Sequence, residues 1–599
     1  LKKNGEKNGL EFDIDIQTQL GCVVFDEVHY INDPSRGKVW EETIMLLPEH
    51  IQMLMLSATI DKPERFATWI ETIKNNTKSV IIAGTNERVV PLVHYMWFNT
   101  KQKQVQDKQM LGLINNRCNK MGILKDNKTP FNKELYLDVC KIKKYLTKEK
   151  LLVKNSYALN NLVETLKSKG MLPAICFVFS RKMVERYASL IEKSVISEDD
   201  CKFQENIDKE CFNILKKLPN YQEYLQLPEY QFVLGLLRKG IAIHHSGVAP
   251  ILREMVELLF SKGYIKLLFA TETFAVGINM PTKTVIFTDF SKYDGKDNRI
   301  LRSPEYTQMA GRAGRRGLDT IGHVIHCNNL FDPPSSIEYK NMLCGPPQKL
   351  TSKFKISYGL ILNVVAAGAQ TLDKIYSFVS QSMIKSDIDK EVVYYETEVE
   401  KMKTRLKTFQ LDVTRARTPK DDLDRYIELC DTVGKLSQKQ RKKAQREINN
   451  LQEAHKTLEK DVEMMKNITS LEHDISSNVG YKNNANDYLI NEVKKVSSIL
   501  VDEGYLTMED EETYSITEIG LVASQLQEVH SAAFAKVIID TEYFKAFAPA
   551  EIAAVISAFT NIRVSDEQAA MYPNSGIGKI DNALKQLQGE VLRFHQKEL

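Results

Sequence analysis

The chain has 599 residues, which at one domain per roughly 150 residues allows three to five domains. Hydrophobic residues make up 43% and charged residues 27%, an ordinary globular composition with material for several cores. A net charge of +3 neither demands nor excludes nucleic acid, so any basic track must be local. No apolar run approaches the roughly 18 residues of a membrane span, and no membrane partner is expected. Nine cysteines stand singly, without a CxxC. They read as reduced thiols of an intracellular protein, with no zinc site; nucleus and cytoplasm are not distinguished. The chain opens Leu1-Lys2-Lys3-Asn4-Gly5, without an initiator Met or an apolar signal core, and closes in an amphipathic run, 584–594. Both ends read as cut, which leads us to expect a fragment of a longer protein.

In chain order, residues 20–100 read as α/β. The apolar run Leu20–Phe25 is of the buried parallel-strand kind and ends in acids, and Met53–Leu56 ends in Ser57-Ala58-Thr59. Residues 101–170 are rich in Lys, Asn and Gln and read as a linker or insertion. From 171 to 345, strand candidates at 174–179, 241–244, 265–270, 284–288 and 323–327 alternate with helical stretches such as 250–260. That alternation predicts a doubly wound parallel sheet, with ligands at the carboxyl ends of its strands. After 345 the strand signals fade. Val399, Met402, Leu406, Phe409 and Val413 recur at helical spacing, as do Ile448, Leu451, Leu458, Val462 and Met465, with Pro419 between the two series. Two such series around a break predict an antiparallel helical hairpin over 392–470; two helices laid flat on the body remain the alternative. Residues 471–599 read as helical, with a strand-like stretch near 514–516.

Asp26-Glu27-Val28-His29 follows the first strand. One acid can hold Mg²⁺ through its water shell and the other can orient and deprotonate an attacking water. Taken alone, the four residues could equally be an acidic helix cap, and Ser57 and Thr59 could cap the next helix. The run from Gln308 to Gly317, QMAGRAGRRG, is more specific. If it opens a helix, Arg312 and Arg315 share one face. The arginine fork suits a departing γ-phosphate, and the glycines allow close approach. TETFAVGINMP, 271–281, offers hydroxyls, the Glu272 carboxylate and Gly277 for coupling phosphate state to a bound strand. His244 and His245 are disfavoured as metal ligands, since adjacent strand residues point to opposite faces.

In order, DEVH (26–29), SAT (57–59), FVFSR (177–181), GIAIHHSG (240–247), TETFAVGINMP (271–281) and QMAGRAGRRG (308–317) resemble motifs II to VI of superfamily 2 helicases. The wording of the last three is similar to the superkiller and exosome-cofactor branch of DExH-box RNA helicases. The resemblance implies an α/β fold of two RecA-like parallel-sheet lobes (1–100 and 171–345), a winged-helix region (346–391), a reduced helical-hairpin insertion and an all-α C-terminal domain. It implies ATP and Mg²⁺ as cofactors, RNA with a single-stranded 3′ tail as partner, an exosome-type complex as assembly, and 3′-to-5′ strand separation. Residue by residue, Asp26 would serve Mg²⁺, Glu27 would be the general base and His29 would complete the catalytic set. Ser57 and Thr59 would couple the lobes, with Ser180, His245, Thr271 and Glu272 in coupling or RNA contact. Gly277 and Asn279 would touch nucleotide or the RNA path, and Gln308, Arg312 and Arg315 would face the phosphates. Tyr293 to Pro304 would form a strand-separating β-hairpin.

Two features depart from that pattern. No GxxxxGK[ST] occurs in the 599 residues, so the phosphate-binding loop expected roughly a hundred residues before DEVH is lacking. The stretch 414–440 is too short for the β-barrel that the RNA-degrading relatives carry on their helical arch, which leaves a bare hairpin. A DNA helicase of the same superfamily and an RNA-binding scaffold without ATPase activity are the competing readings. The wording of 271–281 argues against the first, and intact DEVH and GRAGRR against the second.

Overall fold

The computed structural model describes residues 18–598 apart from 34–35, 58–59, 76, 78, 86–87, 102–104, 197–201, 276–279, 281, 294–296, 348, 414–417, 436, 511–512, 528 and 561–573. The fold is α/β with a helical C-terminal region, and the chain divides into two units. One comprises 1–57, 64–81 and 350–599; the other comprises 58–63 and 82–349.

The first elements among the described residues are strand β1 (Cys22–Phe25), helix α1 (Gly37–Leu46), strand β2 (Gln52–Met55) and helix α2 (Pro63–Ile73). β1 and β2 pair in parallel, in register Val23 to Met53. Helix α2 buries Phe66, Trp69, Ile70 and Ile73, the one-sided spacing of an amphipathic helix.

The second unit then supplies β3 (Leu92–Trp97), α3 (Lys108–Arg117), β4 (Met121–Lys125), α4 (Lys133–Lys148), α5 (Asn155–Ser168), β5 (Ala174–Phe177) and α6 (Arg181–Ser189). Three helices follow, α7 (Phe203–Leu215), α8 (Tyr221–Gln226) and α9 (Pro228–Leu237). Next come β6 (Ile241–His244), α10 (Pro250–Ser261), β7 (Leu267–Ala270), β8 (Thr284–Phe287), β9 (Ser291–Tyr293), β10 (Asn298–Ile300), α11 (Ser303–Ala310), β11 (Gly322–Cys327) and α12 (Ser336–Cys344). Seven strands form one sheet in the order β4-β3-β11-β8-β5-β7-β6, parallel except for the edge strand β4. Every residue of β5, β6, β7 and β8 is buried, as expected of strands covered on both faces.

The expectation of a linker over 101–170 is corrected. This stretch forms α3, β4, α4 and α5 and joins the core of the seven-stranded sheet. Leu135, Val139, Ile142 and Leu146 of α4 are buried at spacings of four, three and four, a helical face diluted by surrounding Lys and Asn. The boundary placed at residue 100 moves as well, because β3 pairs with β11 and not with β1 or β2.

The C-terminal region comprises α13 (Tyr358–Ala366), α14 (Leu372–Val379), α15 (Met383–Val413), α16 (Lys420–Thr432), α17 (Gln438–Ala454), α18 (Leu458–Asp502), β12 (Leu506–Asp510), β13 (Thr513–Ile516), α19 (Glu518–Gln525), α20 (Ser531–Asp540), α21 (Pro549–Ile556) and α22 (Gly578–Glu598). The hairpin exists, but its second arm is α18 rather than 448–465. α15 and α18 run antiparallel, with Glu396 against Lys482 (2.9 Å) and Met402 beside Asn478. The 448–465 series is broken at His455, whose extended backbone ends α17 and whose ring lies 3.0 Å from Asp422. Leu423, Tyr426, Leu429, Ala444, Ile448, Leu458 and Val462 then form a small separate core at the tip. The last turns of α18 bury Leu489, Val493, Val496 and Leu500, and the β12–β13 hairpin follows directly. Because Tyr514 N–H donates to the Gln370 carbonyl (2.7 Å), α13, α14, the end of α18 and this hairpin form one unit into which the stalk is inserted. The boundaries placed at 391 and 470 therefore cut through α15 and α18.

Candidate functional site

Asp26 and Glu27 leave the carboxyl end of β1. Glu27 has φ 54° and ψ 50°, a left-handed conformation that a non-glycine residue holds only at a cost of about 1–3 kcal/mol. The turn is held by Val28 N–H donating to the Leu56 carbonyl and Leu56 N–H to the Phe25 carbonyl, both 2.8 Å. This pins the loop after β1 to the loop after β2. His29 Nδ1 consequently lies 3.2 Å from Ser57 Oγ and 3.2 Å from Glu27 Oε2. Burial pushes the His29 ring below its ordinary pKa, opposed by Glu27 and Asp26. A neutral ring can bridge the hydroxyl and the carboxylate. Asp26 is exposed and makes no hydrogen bond among the described residues, leaving its carboxylate available.

In the seven-stranded sheet, β5, β7 and β6 are neighbours, so the loops after them open side by side. Thr271 N–H donates to the His244 carbonyl (3.2 Å), joining the ends of β7 and β6. His245 is buried. Its Nδ1 accepts from Gly247 N–H (3.1 Å), which leaves the proton on Nε2, 3.3 Å from Glu185 Oε1 of α6. Ser180, the exposed residue before α6, stands at the end of the same neighbouring strand. Thr271 Oγ1 lies 3.0 Å from Thr273 Oγ1, and Glu272 pairs with Lys292 of β9 (2.7 Å). β9 and β10 form an antiparallel hairpin over 291–300, starting two residues earlier than the expected 293–304 and ending sooner because Ser303 and Pro304 already belong to α11. His244, beside His245, instead bonds Glu257 at 2.7 Å and packs edge-on against Phe274. Among the described residues no His, Cys, Asp or Glu cluster could hold a metal ion, and the cysteines are free.

The glycine–arginine segment differs from its expectation. α11 ends at Ala310, so Arg312 and Arg315 lie in the turn after a helix and not on a helix face. Gly314 has φ 87°, and a Cβ there would meet Val90 Cγ1 at 2.5 Å, so only glycine fits. Thr282 N–H donates to the Arg312 carbonyl (2.8 Å), and Gly314 N–H to the Thr282 carbonyl (2.6 Å). Arg88, which sequence reasoning missed, donates to the carbonyls of Gly311 (2.7 Å) and Ala313 (2.9 Å). Its arginine type in a polar loop carried no signal. Arg315 makes a fork-to-fork pair with Asp319 (2.8 and 2.9 Å), whose carboxyl is held below its ordinary range by that pair. Gln308 Nε2 is buried without a hydrogen-bond partner among the described residues. Thr59, Gly277 and Asn279 lie outside the described residues.

Residues 10–66 match the DEAD/DEAH box helicase family and residues 219–317 match the helicase conserved C-terminal domain. The chain is 36% identical over 369 residues to mouse superkiller complex protein 2, covering 59% of this chain and 28% of that protein. It is 32% identical over 457 residues to the antiviral helicase SKI2 of Saccharomyces cerevisiae, covering 69% of this chain and 34% of that protein. It is 38% identical over 372 residues to the mouse exosome RNA helicase MTR4, covering 59% of this chain and 32% of that protein. The chain carries DEAD/DEAH box and helicase C-terminal domains, and its relatives are superkiller and exosome helicases, consistent with a DExH-box RNA helicase of that family. It spans about a third of the length of these relatives. The two family matches enclose DEVH, SAT, the paired histidines, TETFAVGINMP and QMAGRAGRRG, all but the FVFSR segment of the six motifs.

Proposed function

We propose that this chain is part of an ATP-dependent RNA helicase that separates or remodels RNA in the 3′-to-5′ direction, inside the cell, during RNA processing or decay. The observation that carries the reading is that, within each unit, helicase motifs follow the carboxyl ends of adjacent parallel strands, β1 and β2 in one and β5, β7 and β6 in the other, where such sheets bind ligands. The relatives, an exosome RNA helicase among them, support RNA as substrate and an exosome-type complex as partner. Within the first unit Asp26 offers Mg²⁺ an exposed carboxylate; within the second, Gln308 offers a phosphate group a buried amide donor without a partner among the described residues. Mg²⁺ bound through Asp26 would neutralise phosphate charge. Glu27, held by its turn, would orient and deprotonate the attacking water. Arg312 and Arg315 would stabilise the charge of the transferring phosphoryl group, Arg315 being held by Asp319 until then. RNA gripped by its backbone would bind without strong sequence preference and more weakly as salt rises.

Without a GxxxxGK[ST] loop, the 599 residues by themselves bind RNA but release no phosphate from ATP, with or without RNA. Phosphate release by these 599 residues would overturn the second half of that statement. Tighter binding of DNA than of RNA of the same sequence would favour a DNA helicase instead. Displacement of RNA strands by the complete gene product, from duplexes with 3′ but not 5′ tails, tests the polarity. An inactive gene product that still binds RNA would favour the scaffold.

A further inference from the structure

The hairpin β9–β10 has only three residue pairs, and its central pair sets Lys292 directly opposite Arg299. Like charges facing each other across an antiparallel pair are destabilising, and a two-stranded hairpin is marginal on its own. Two carboxylates from other elements resolve the conflict. Glu305, in the first turn of α11, takes Arg299 in a two-pronged pair (2.7 and 2.8 Å), lies 3.3 Å from Lys292 Nζ and accepts from Arg302 N–H at 2.8 Å. Burial alone would raise the Glu305 carboxyl, but these donors and Lys292 outweigh it and hold it at about 2. Glu272, in the segment after β7, takes the remaining side of Lys292 at 2.7 Å. Lys292 is thus shared by the loop after β7 and by the helix that leads to Arg312 and Arg315.

We propose that Glu272, Lys292 and Glu305 form a positioning relay by which the segment after β7 sets the base of the β9–β10 hairpin against α11. A displacement of Glu272 takes from Lys292 one of the two carboxylates that offset its facing Arg299, and the hairpin loosens. The geometry stands by itself; that a loosened hairpin changes RNA handling rests on the helicase reading above.

Hydrogen exchange of the 599-residue chain without RNA tests the relay in wild type, E272Q, K292M, K292R and E305Q. Exchange at 291–293 and 298–300 should accelerate about tenfold in K292M and E305Q and several-fold in E272Q, with β5 to β8 unchanged, because exposed hairpins open locally. K292R should keep wild-type protection. Wild-type protection in E272Q, or equal acceleration throughout the seven-stranded sheet in all variants, overturns the relay. In a second arm, anisotropy compares a 3′-tailed RNA duplex with the tail alone. K292M should weaken duplex binding about tenfold more than tail binding if, as the helicase reading implies, the hairpin meets the duplex junction. Equal weakening overturns the link to RNA. A wild-type chain that binds neither RNA overturns the helicase reading, while the exchange data still decide the relay.

Discussion

Glu41 sits on α1 with no exposed surface. Its carboxylate accepts from Ser352 Oγ (2.8 Å), from Met383 N–H at the start of the stalk (2.6 Å) and from the Lys353 backbone. Burial nevertheless outweighs these donors and pushes the carboxyl up to about 7. The folded state then holds a proton that the unfolded state has lost, so stability falls as pH rises from about 4.5 to 7. Glu41→Gln keeps an acceptor without the charge. Thermal melts at pH 5 and pH 8 should show the wild type losing roughly 2–3 kcal/mol relative to the variant over that interval. A pH-independent difference between the two would contradict this. The acids of DEVH and the arginines of QMAGRAGRRG were readable as residue types, but not Asp319, Arg88 or Lys292. Asp319 holds Arg315, Arg88 holds the backbone on either side of Arg312, and Lys292 holds Glu272 and Glu305, through contacts that no local spacing encodes.

At the scale of elements, α18 does two jobs. Its 45 residues, about 68 Å at 1.5 Å per residue, run from the tip core through the stalk to the unit built with α13 and α14. Periodicity revealed two helical series around Pro419 but not which pair would meet. The break at His455 comes from a tertiary pairing with Asp422, and Thr418 reinforces the tip through Asp461 (2.6 Å). Leu458 begins α18 and is buried in the tip core. Leu458→Ala should cost the tip about 2–5 kcal/mol. Hydrogen exchange should then quicken across 420–462 and stay unchanged in α13 and α14, and faster exchange in those two helices would refute the separateness of the tip core. Strand β13 was legible from Tyr514 to Ile516, whereas its partner β12 ends in acids and carried no apolar alternation.

At the scale of the molecule, the middle unit, 82–349, contains a whole seven-stranded sheet with its own core. Among the described residues, 18–81 contribute two parallel strands, with Val24, Leu54 and Leu56 exposed. Parallel sheets are stable when covered on both faces, and two such strands cannot bury enough apolar area alone. Expressed separately, 82–349 should unfold in one cooperative thermal transition and 18–81 should show none. A cooperative transition in 18–81 would contradict the argument.

From the order of residues alone came the family resemblance, the parallel strands at 22–25, 52–55, 174–177, 241–244, 267–270, 284–287 and 322–327, and the motifs at the ends of the first five. These are legible because buried parallel strands are short apolar runs and because the chemistry sits immediately after them. Tertiary structure alone decided that β3 and β4 complete the second sheet, that the stalk interrupts another unit, and that the arginines occupy a turn. Pairing partners along a chain of 599 residues are chosen by which faces can be buried together, and that choice leaves no mark within a single segment.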